Sequence, residues 1–207
     1  NVGTIFFPPK NPPPLLSLGF NPRCITPAKS LKMFPLAGII AERADESLPA
    51  ITLDTACDVR ELPGFSSGCF YAQDVAAQMA ATLLDLKPEQ RVLDVCAAPG
   101  GKTTHIAEIE PKLAALVAVD NASERCARIT ENLQRLQHKA TVIVGDARAP
   151  KAWWDGQTFD RILVDAPCWA TGVILLHIDV KFLRREIAID TLVVQLQAVR
   201  ELVWHMV

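Results

Sequence analysis

Acids, small residues and thiols recur in this chain where a ligand could be held. The densest stretch is Val92-Leu93-Asp94-Val95-Cys96-Ala97-Ala98-Pro99-Gly100-Gly101-Lys102-Thr103. An apolar run enters a turn of small residues and glycines, and the turn opens a helix. Such a turn lets backbone approach a ligand closely, and the helix start offers free N–H groups. A P-loop would read G-x-x-x-x-G-K-S/T, and Gly101-Lys102-Thr103 supplies its end, but its first glycine falls at Cys96; G-x-G-x-x-G is absent as well. Asp120 closes the next apolar run, where a carboxylate can accept from two ribose hydroxyls; taken alone it reads equally well as a helix-capping acid. Gly145-Asp146 closes the third run, and its acid can meet an adenine amino group or serve as an ordinary turn residue. Acids at the ends of three successive strands, along one edge of one sheet, point to a nucleoside cofactor.

The fourth run delivers Asp165-Ala166-Pro167-Cys168. A thiolate beside a carboxylate in a cofactor cleft suits covalent chemistry on a pyrimidine. The sulfur adds to ring C6 and makes C5 nucleophilic, while the carboxylate holds the N3 and N4 edge of cytosine. Taken alone, Cys168 reads as a small buried apolar residue. Ile162-Leu163-Val164-Asp165 also passes for a Walker B strand, which leaves a P-loop-like ATPase as a weaker alternative.

The elements that must position these residues are legible as alternating patterns. Strands are expected at 91–95, 113–119, 140–144 and 161–164, each a nearly continuous apolar run. Helices are expected at 74–86, 102–109, 122–136 (with Asn121 as N-cap) and 187–203, the last amphipathic. Strands alternating with helices indicate an α/β domain, a parallel sheet covered on both faces. Residues 1–47 carry eight of the fifteen prolines and read as a proline-rich arm or domain remnant. No packed helix or central strand is expected there before about Pro27, and 36–43 is read as a short helix. Residues 48–207 make up the catalytic-type domain, entered through a turn at Leu62-Pro63-Gly64-Phe65.

Composition bounds the partners. Half of the 207 residues are hydrophobic, yet no apolar run approaches the ~18 residues of a membrane span, and no secretory leader is visible. A soluble, cytoplasmic protein is expected. The six cysteines form no C-x-x-C pair, so neither a metal site nor a disulfide framework is expected, only reduced thiols. The formal net charge of −2 leaves no overall basic footprint for nucleic acid, so any RNA-binding face must be local.

Asp94 to His105, Asp165-Ala166-Pro167-Cys168 and Ala170-Thr171-Gly172-Val173 resemble the NOL/NOP/Sun family of RNA cytosine-C5 methyltransferases, in particular its bacterial Sun-type members acting on 16S ribosomal RNA. Leu62-Pro63-Gly64-Phe65 and Gln73-Asp74 are similar to that family's lead-in, and the likeness runs from about Ile51 to the end of the chain. The resemblance implies a Rossmann-like methyltransferase fold, S-adenosyl-L-methionine as methyl donor, and ribosomal RNA as partner. It assigns the cofactor loop to Cys96, Ala97, Ala98, Pro99, Gly100, Gly101 and Lys102. Asp120 goes to the ribose, Asp146 to the adenine, and Asp165 to the space between cofactor and target base. In this family the attacking thiolate lies in a Thr-Cys pair on a later strand, and the Pro-Cys cysteine, here Cys168, assists product release. Trp169 stands where a serine is usual, Leu175-Leu176 where two arginines are usual, and Ile178 where a proline is usual. The principal nucleophile is expected to be absent, the chain being read as truncated at its C-terminal end. Two further expectations follow: association through an exposed edge at 161–164, and a non-catalytic cofactor- or RNA-binding module as the alternative function.

Overall fold

The computed structural model describes residues 16–44, 50–54, 57–166 and 186–207. Two sheets organise them. The smaller is antiparallel, in the order β2-β3-β1-β4, and comprises β1 (Leu16–Phe20), β2 (Ala41–Arg43), β3 (Ile51–Leu53) and β4 (Phe70–Ala72). β1 sits inside this sheet, pairing with β3 through Leu18↔Ile51 and with β4 through Phe20↔Phe70. The expectation of no central strand before Pro27 is therefore corrected. No proline falls between Pro14 and Pro22, and Leu16-Ser17-Leu18-Gly19-Phe20 is free to pair. The expected helix at 36–43 is also corrected. Thr26 accepts from the Lys29 N–H and Pro27 takes the first helical position, so α1 (Pro27–Leu36) begins earlier. Gly38, at φ +73°, turns the chain out of the helix and into β2. A boundary at residue 47 falls between β2 and β3, which pair with each other.

Leu18, Phe20, Phe34, Ile51, Leu53 and Phe70 close the core of this sheet. Cys24 and Cys69 are disulfide-bonded. The expectation of reduced thiols throughout is corrected for this pair: 45 residues apart in sequence, they meet only once the sheet has folded.

The larger sheet is parallel, in the order β7-β6-β5-β8. It contains β5 (Arg91–Val95), β6 (Ala115–Asp120), β7 (Thr141–Val144) and β8 (Arg161–Val164). Registers such as Val95↔Val119, Val119↔Ile143 and Val95↔Val164 align the carboxyl ends of the four strands. Helices α2 (Val75–Leu83), α3 (Gly101–Ile109), α4 (Ser123–Leu136) and α5 (Glu186–Trp204) accompany it. Val92, Ile106 and Leu116 pack together in one cluster, and Leu93, Val95, Val119, Phe159, Val203 and Met206 in another. Asn121 is not the cap of α4. Ala122 holds that position without a side-chain bond, while the Asp120 carboxylate accepts from the Ala122 N–H at 3.2 Å.

A polar seam joins α4 to the small sheet. Arg135 donates to the carbonyls of Phe65 (3.0 Å) and Phe70 (2.8 Å), and its guanidinium lies 3.9 Å from the Phe65 ring centroid. Asn21 Nδ2 donates to the Gly68 and Leu136 carbonyls, both at 3.0 Å. Among the described residues, β8 is the outermost strand on its side of the sheet, with Val164 41% exposed. No helix among them is long and apolar enough to cross a membrane, and no group of three His, Cys, Asp or Glu is placed to hold a metal ion.

Candidate functional site

The turn after β5 is built from strained and small residues. Cys96 takes a left-handed conformation at φ +60°, Gly100 another at +98°, and the Ala98–Pro99 peptide is cis. The turn is pinned by Ala97 N–H to the Val119 carbonyl (3.1 Å) and by Gly100 N–H to the Ala97 carbonyl (2.8 Å). A Cβ at Gly100 would stand 3.0 Å from Ile129 Cα, so α4 packs tightly behind the turn. Burial, then the neighbouring Asp120 carboxylate, push the Cys96 thiol above its ordinary range. Cys96 is a neutral wall rather than a nucleophile.

Under the turn lies Asp94, fully buried on β5. Its Oδ2 accepts from Thr103 Oγ1 at 2.6 Å, tying strand to helix, while Oδ1 has no partner. Burial lifts this carboxyl to about 7, against the lowering pull of the Thr103 hydrogen bond.

Asp120, 3% exposed, is held from both sides. Oδ2 accepts from the Ala98 N–H at 3.2 Å and Oδ1 from the Ala122 N–H at 3.2 Å. The Arg125 guanidinium stands 3.2 Å from Oδ2 and donates to the Ala98 carbonyl at 3.4 Å. Asp146 is paired more fully. Arg148 reaches Oδ1 with its backbone N–H (2.8 Å) and Nε (3.0 Å), and Oδ2 with Nη2 (2.7 Å). These bonds hold the Asp146 carboxyl below its ordinary value. Trp153 Nε1 donates to the Asp146 carbonyl (2.9 Å), and its ring lies where a Cβ on Gly145 would sit, at 2.6 Å. Asp165 pairs with Lys102 Nζ at 2.6 Å, and its backbone N–H reaches the Val95 carbonyl at 3.2 Å.

Cys96, Asp120 and Asp146 line one cleft of about 190 Å3 at this sheet edge, with apolar walls from Val119, Leu196 and Val199. Ala97, Ala98, Pro99, Gly100 and Gly101 form the turn beside it. Lys102 and Asp165 are not among its lining residues, although Ala166 is. Cys168 lies outside the described residues.

The residue pattern alone missed Arg125, Arg148 and the α5 wall. Signals for the two arginines were present. A cation in the first turn of a helix opposes the helix dipole unless it has a partner, and Arg125 sits there on α4. Arg148 follows Asp146 by two residues, the spacing at which an aspartate accepts from a backbone N–H downstream. The α5 wall comes from a distant stretch of chain and leaves no local mark.

A family model described as "16S rRNA methyltransferase RsmB/F" matches residues 81–207. The ribosomal RNA small subunit methyltransferase B of Pseudomonas syringae pv. tomato is 52% identical over 155 residues, which is 75% of this chain and 35% of that protein. This chain therefore spans about a third of that relative's length. The solved structure of PH0851 superposes with a TM-score of 0.87 at 25% identity, over 93% of this chain and 44% of its own. A methyltransferase homolog protein from Pyrococcus horikoshii gives 0.68 at 26% identity, over 83% and 56%. The parallel sheet, the turn after its β5 strand and these neighbours make the fold the Rossmann-like methyltransferase fold. On the family match and the half-identical relative together, the chain belongs to the 16S rRNA methyltransferase RsmB/F family.

Proposed function

We propose that this chain carries the S-adenosyl-L-methionine site of a cytoplasmic enzyme that methylates cytosine C5 in 16S ribosomal RNA. One observation carries the reading: Asp120 and Asp146 reach a common cleft beside a small-residue turn, at the carboxyl edge of a parallel sheet, in a chain of this family. The residues suit such a cofactor. Val119, Ala147, Leu196 and Val199 offer apolar faces to an adenine ring, two carboxylates offer acceptors at its rim, and the neutral Cys96 thiol completes the wall. When bound, S-adenosylmethionine supplies a methyl group on a sulfonium centre.

In this reading Asp120 accepts from the ribose hydroxyls and Asp146 orients the adenine end. The turn from Cys96 to Gly101 packs against the remainder. Asp165, aligned by Lys102, holds the N3 and N4 edge of the target cytosine. A thiolate would add to C6 and C5 would take the methyl group from the sulfonium; loss of the C5 proton to a base, with expulsion of the thiolate, would restore the ring. No Thr-Cys dipeptide occurs in the 207 residues. A module that binds cofactor or RNA without turnover is the second reading, and Cys168 is the sulfur of this chain that a trapping experiment can test. Association of copies along the β8 edge belongs to the same proposal, and sedimentation velocity would detect it.

Calorimetric titration with S-adenosylmethionine tests the cofactor half, with ATP as control. Binding of the methyl donor alone, lost in Asp120→Ala, is expected; equal binding of ATP, or none of either, refutes it. RNA carrying 5-fluorocytosine then separates the readings. A covalent adduct that vanishes in Cys168→Ala marks turnover by this chain, and no adduct marks the binding module.

A further inference from the structure

We propose that a cavity at the amino-terminal edge of the parallel sheet is a second ligand site, built for a nucleotide: a base over its apolar floor and a phosphate on Arg23 and Lys139. The cavity holds about 260 Å3, against about 190 Å3 for the cleft at the carboxyl edge, and the two share no lining residue. Leu116 lines this cavity and Asp120 the other cleft. Four residues of β6 at about 3.3 Å each put roughly 13 Å between them. Ala107, Pro111, Leu113 and Leu116 give the cavity apolar surface, which suits a ring better than a bare anion.

Arg23 and Lys139 stand exposed at the rim. Among the described residues neither side chain has a hydrogen bond or an ion pair, so both are open to a phosphate. The acids nearby do not claim them. Glu110, in the lining, accepts from the Lys112 N–H at 2.8 Å, and burial holds the Glu108 carboxyl up at about 8, uncharged near neutral pH. The last carbonyls of α4 are also occupied: Leu133 accepts from the His138 N–H, Gln134 from the Gln137 N–H, and Leu136 from Asn21 Nδ2. His138 supplies the second, independent mark. It is 8% exposed on the cavity wall, and its Nε2 has no partner. Buried polar atoms normally have one, and a base edge offers donors and acceptors side by side. Burial, then the Arg23 charge, press this imidazole down to about 4. The neutral ring has one nitrogen to donate and one to accept, with a guanidinium close by.

The test follows the His138 imidazole resonance, assigned with His138→Gln, while the chain is titrated with four probes: uridine 5′-monophosphate, uridine, inorganic phosphate and a short single-stranded oligouridylate. The nucleotide should shift that resonance saturably, and uridine and phosphate, each keeping part of it, should bind more weakly. Arg23→Met and Lys139→Met keep the aliphatic stem and remove the cation. Each should weaken the nucleotide about tenfold, the scale of one lost charge-assisted contact. An oligonucleotide that binds much more tightly than the monomer identifies an RNA strand as the source, with each variant lowering the log–log salt slope by about 0.7. Equal affinity identifies a free nucleotide. No shift with either probe, a shift untouched by both Met variants, or phosphate alone binding as tightly as the nucleotide (an adventitious ion only) overturns the proposal. No methyl donor enters this titration and neither variant touches Asp120 or Asp146, so the cofactor reading stands or falls separately.

Discussion

Asp94→Asn isolates the energetics of the acid beneath the cofactor turn. The asparagine keeps the shape of the protonated acid, and its carbonyl can still accept from Thr103 Oγ1; what it removes is the ionisation. Burial raises the Asp94 carboxyl from 3.8 to about 7, so the folded chain binds this proton more tightly than the unfolded chain does. The sign follows. The stabilising contribution is fully present below the unfolded value and is lost as pH climbs from 3.8 towards 7. Three units at 1.36 kcal/mol each amount to about 4 kcal/mol by about pH 8, of which some 2–3 kcal/mol is lost between about pH 5 and pH 8.

Absolute pH profiles will not expose this, because other buried groups titrate too. Burial holds Glu108 up at about 8 and presses His105 and His138 down to about 4. The difference between wild type and Asp94→Asn cancels them. Urea denaturation at about pH 5, 6, 7 and 8 should show the variant gaining about 2–3 kcal/mol on wild type across the range. With roughly 2–4 °C per kcal/mol for a chain of this size, the melting-temperature gap widens by about 4–12 °C. A gap that does not change with pH would refute the reasoning: water or a cation would then be stabilising the carboxylate, and the orphaned Oδ1 would not be orphaned in solution.

Thr103→Val, close in volume, removes the donor to Asp94 Oδ2 and leaves both oxygens without partners; a loss of about 1–3 kcal/mol is expected in urea melts. Gly68→Ala places a Cβ against the Arg135 carbonyl oxygen at φ +70°, so a loss of at least about 1–3 kcal/mol should appear as a lower denaturation midpoint. His138, with its pKa lowered by burial, contributes stability that is lost as pH falls from 6.5 through about 4; His138→Gln should flatten the acid limb of the stability curve.

The parallel sheet was legible because its strands read as nearly unbroken apolar runs, with β5 and β6 largely buried and β7 and β8 partly exposed. The expected 91–95 and 161–164 coincide with β5 and β8. The small antiparallel sheet was hidden by its own composition. Prolines flank β1 without entering it, and β2 and β3 are three residues each, too short for alternation to register. The acids of the site were legible for a similar reason: topology sends every strand end to one edge, so an acid at a strand end is already placed. Their partners were not. Arg125 and Arg148 lie beyond the strand ends, and their roles depend on which way a side chain folds back. The Cys24–Cys69 pair likewise depends on a sheet register that no local spacing encodes.

The two sheets are mechanically linked through one helix, and this gives the small sheet a part in shaping the cleft. α4 presents Arg125 to Asp120 in its first turn, Ile129 to Gly100 in its middle, and Arg135 to the Phe65 and Phe70 carbonyls in its last. A helix is stiff over the 14 residues of α4, with about 1.5 Å of rise per residue. Its two ends are thereby held by different sheets, the first turn beside the cofactor-type turn and the last against the small sheet. Gly68 lets the 64–69 loop approach that end closely, where any side chain would strike the Arg135 carbonyl. The small sheet contributes no acid to the cleft; it fixes the end of the helix whose other end carries Arg125 beside Asp120.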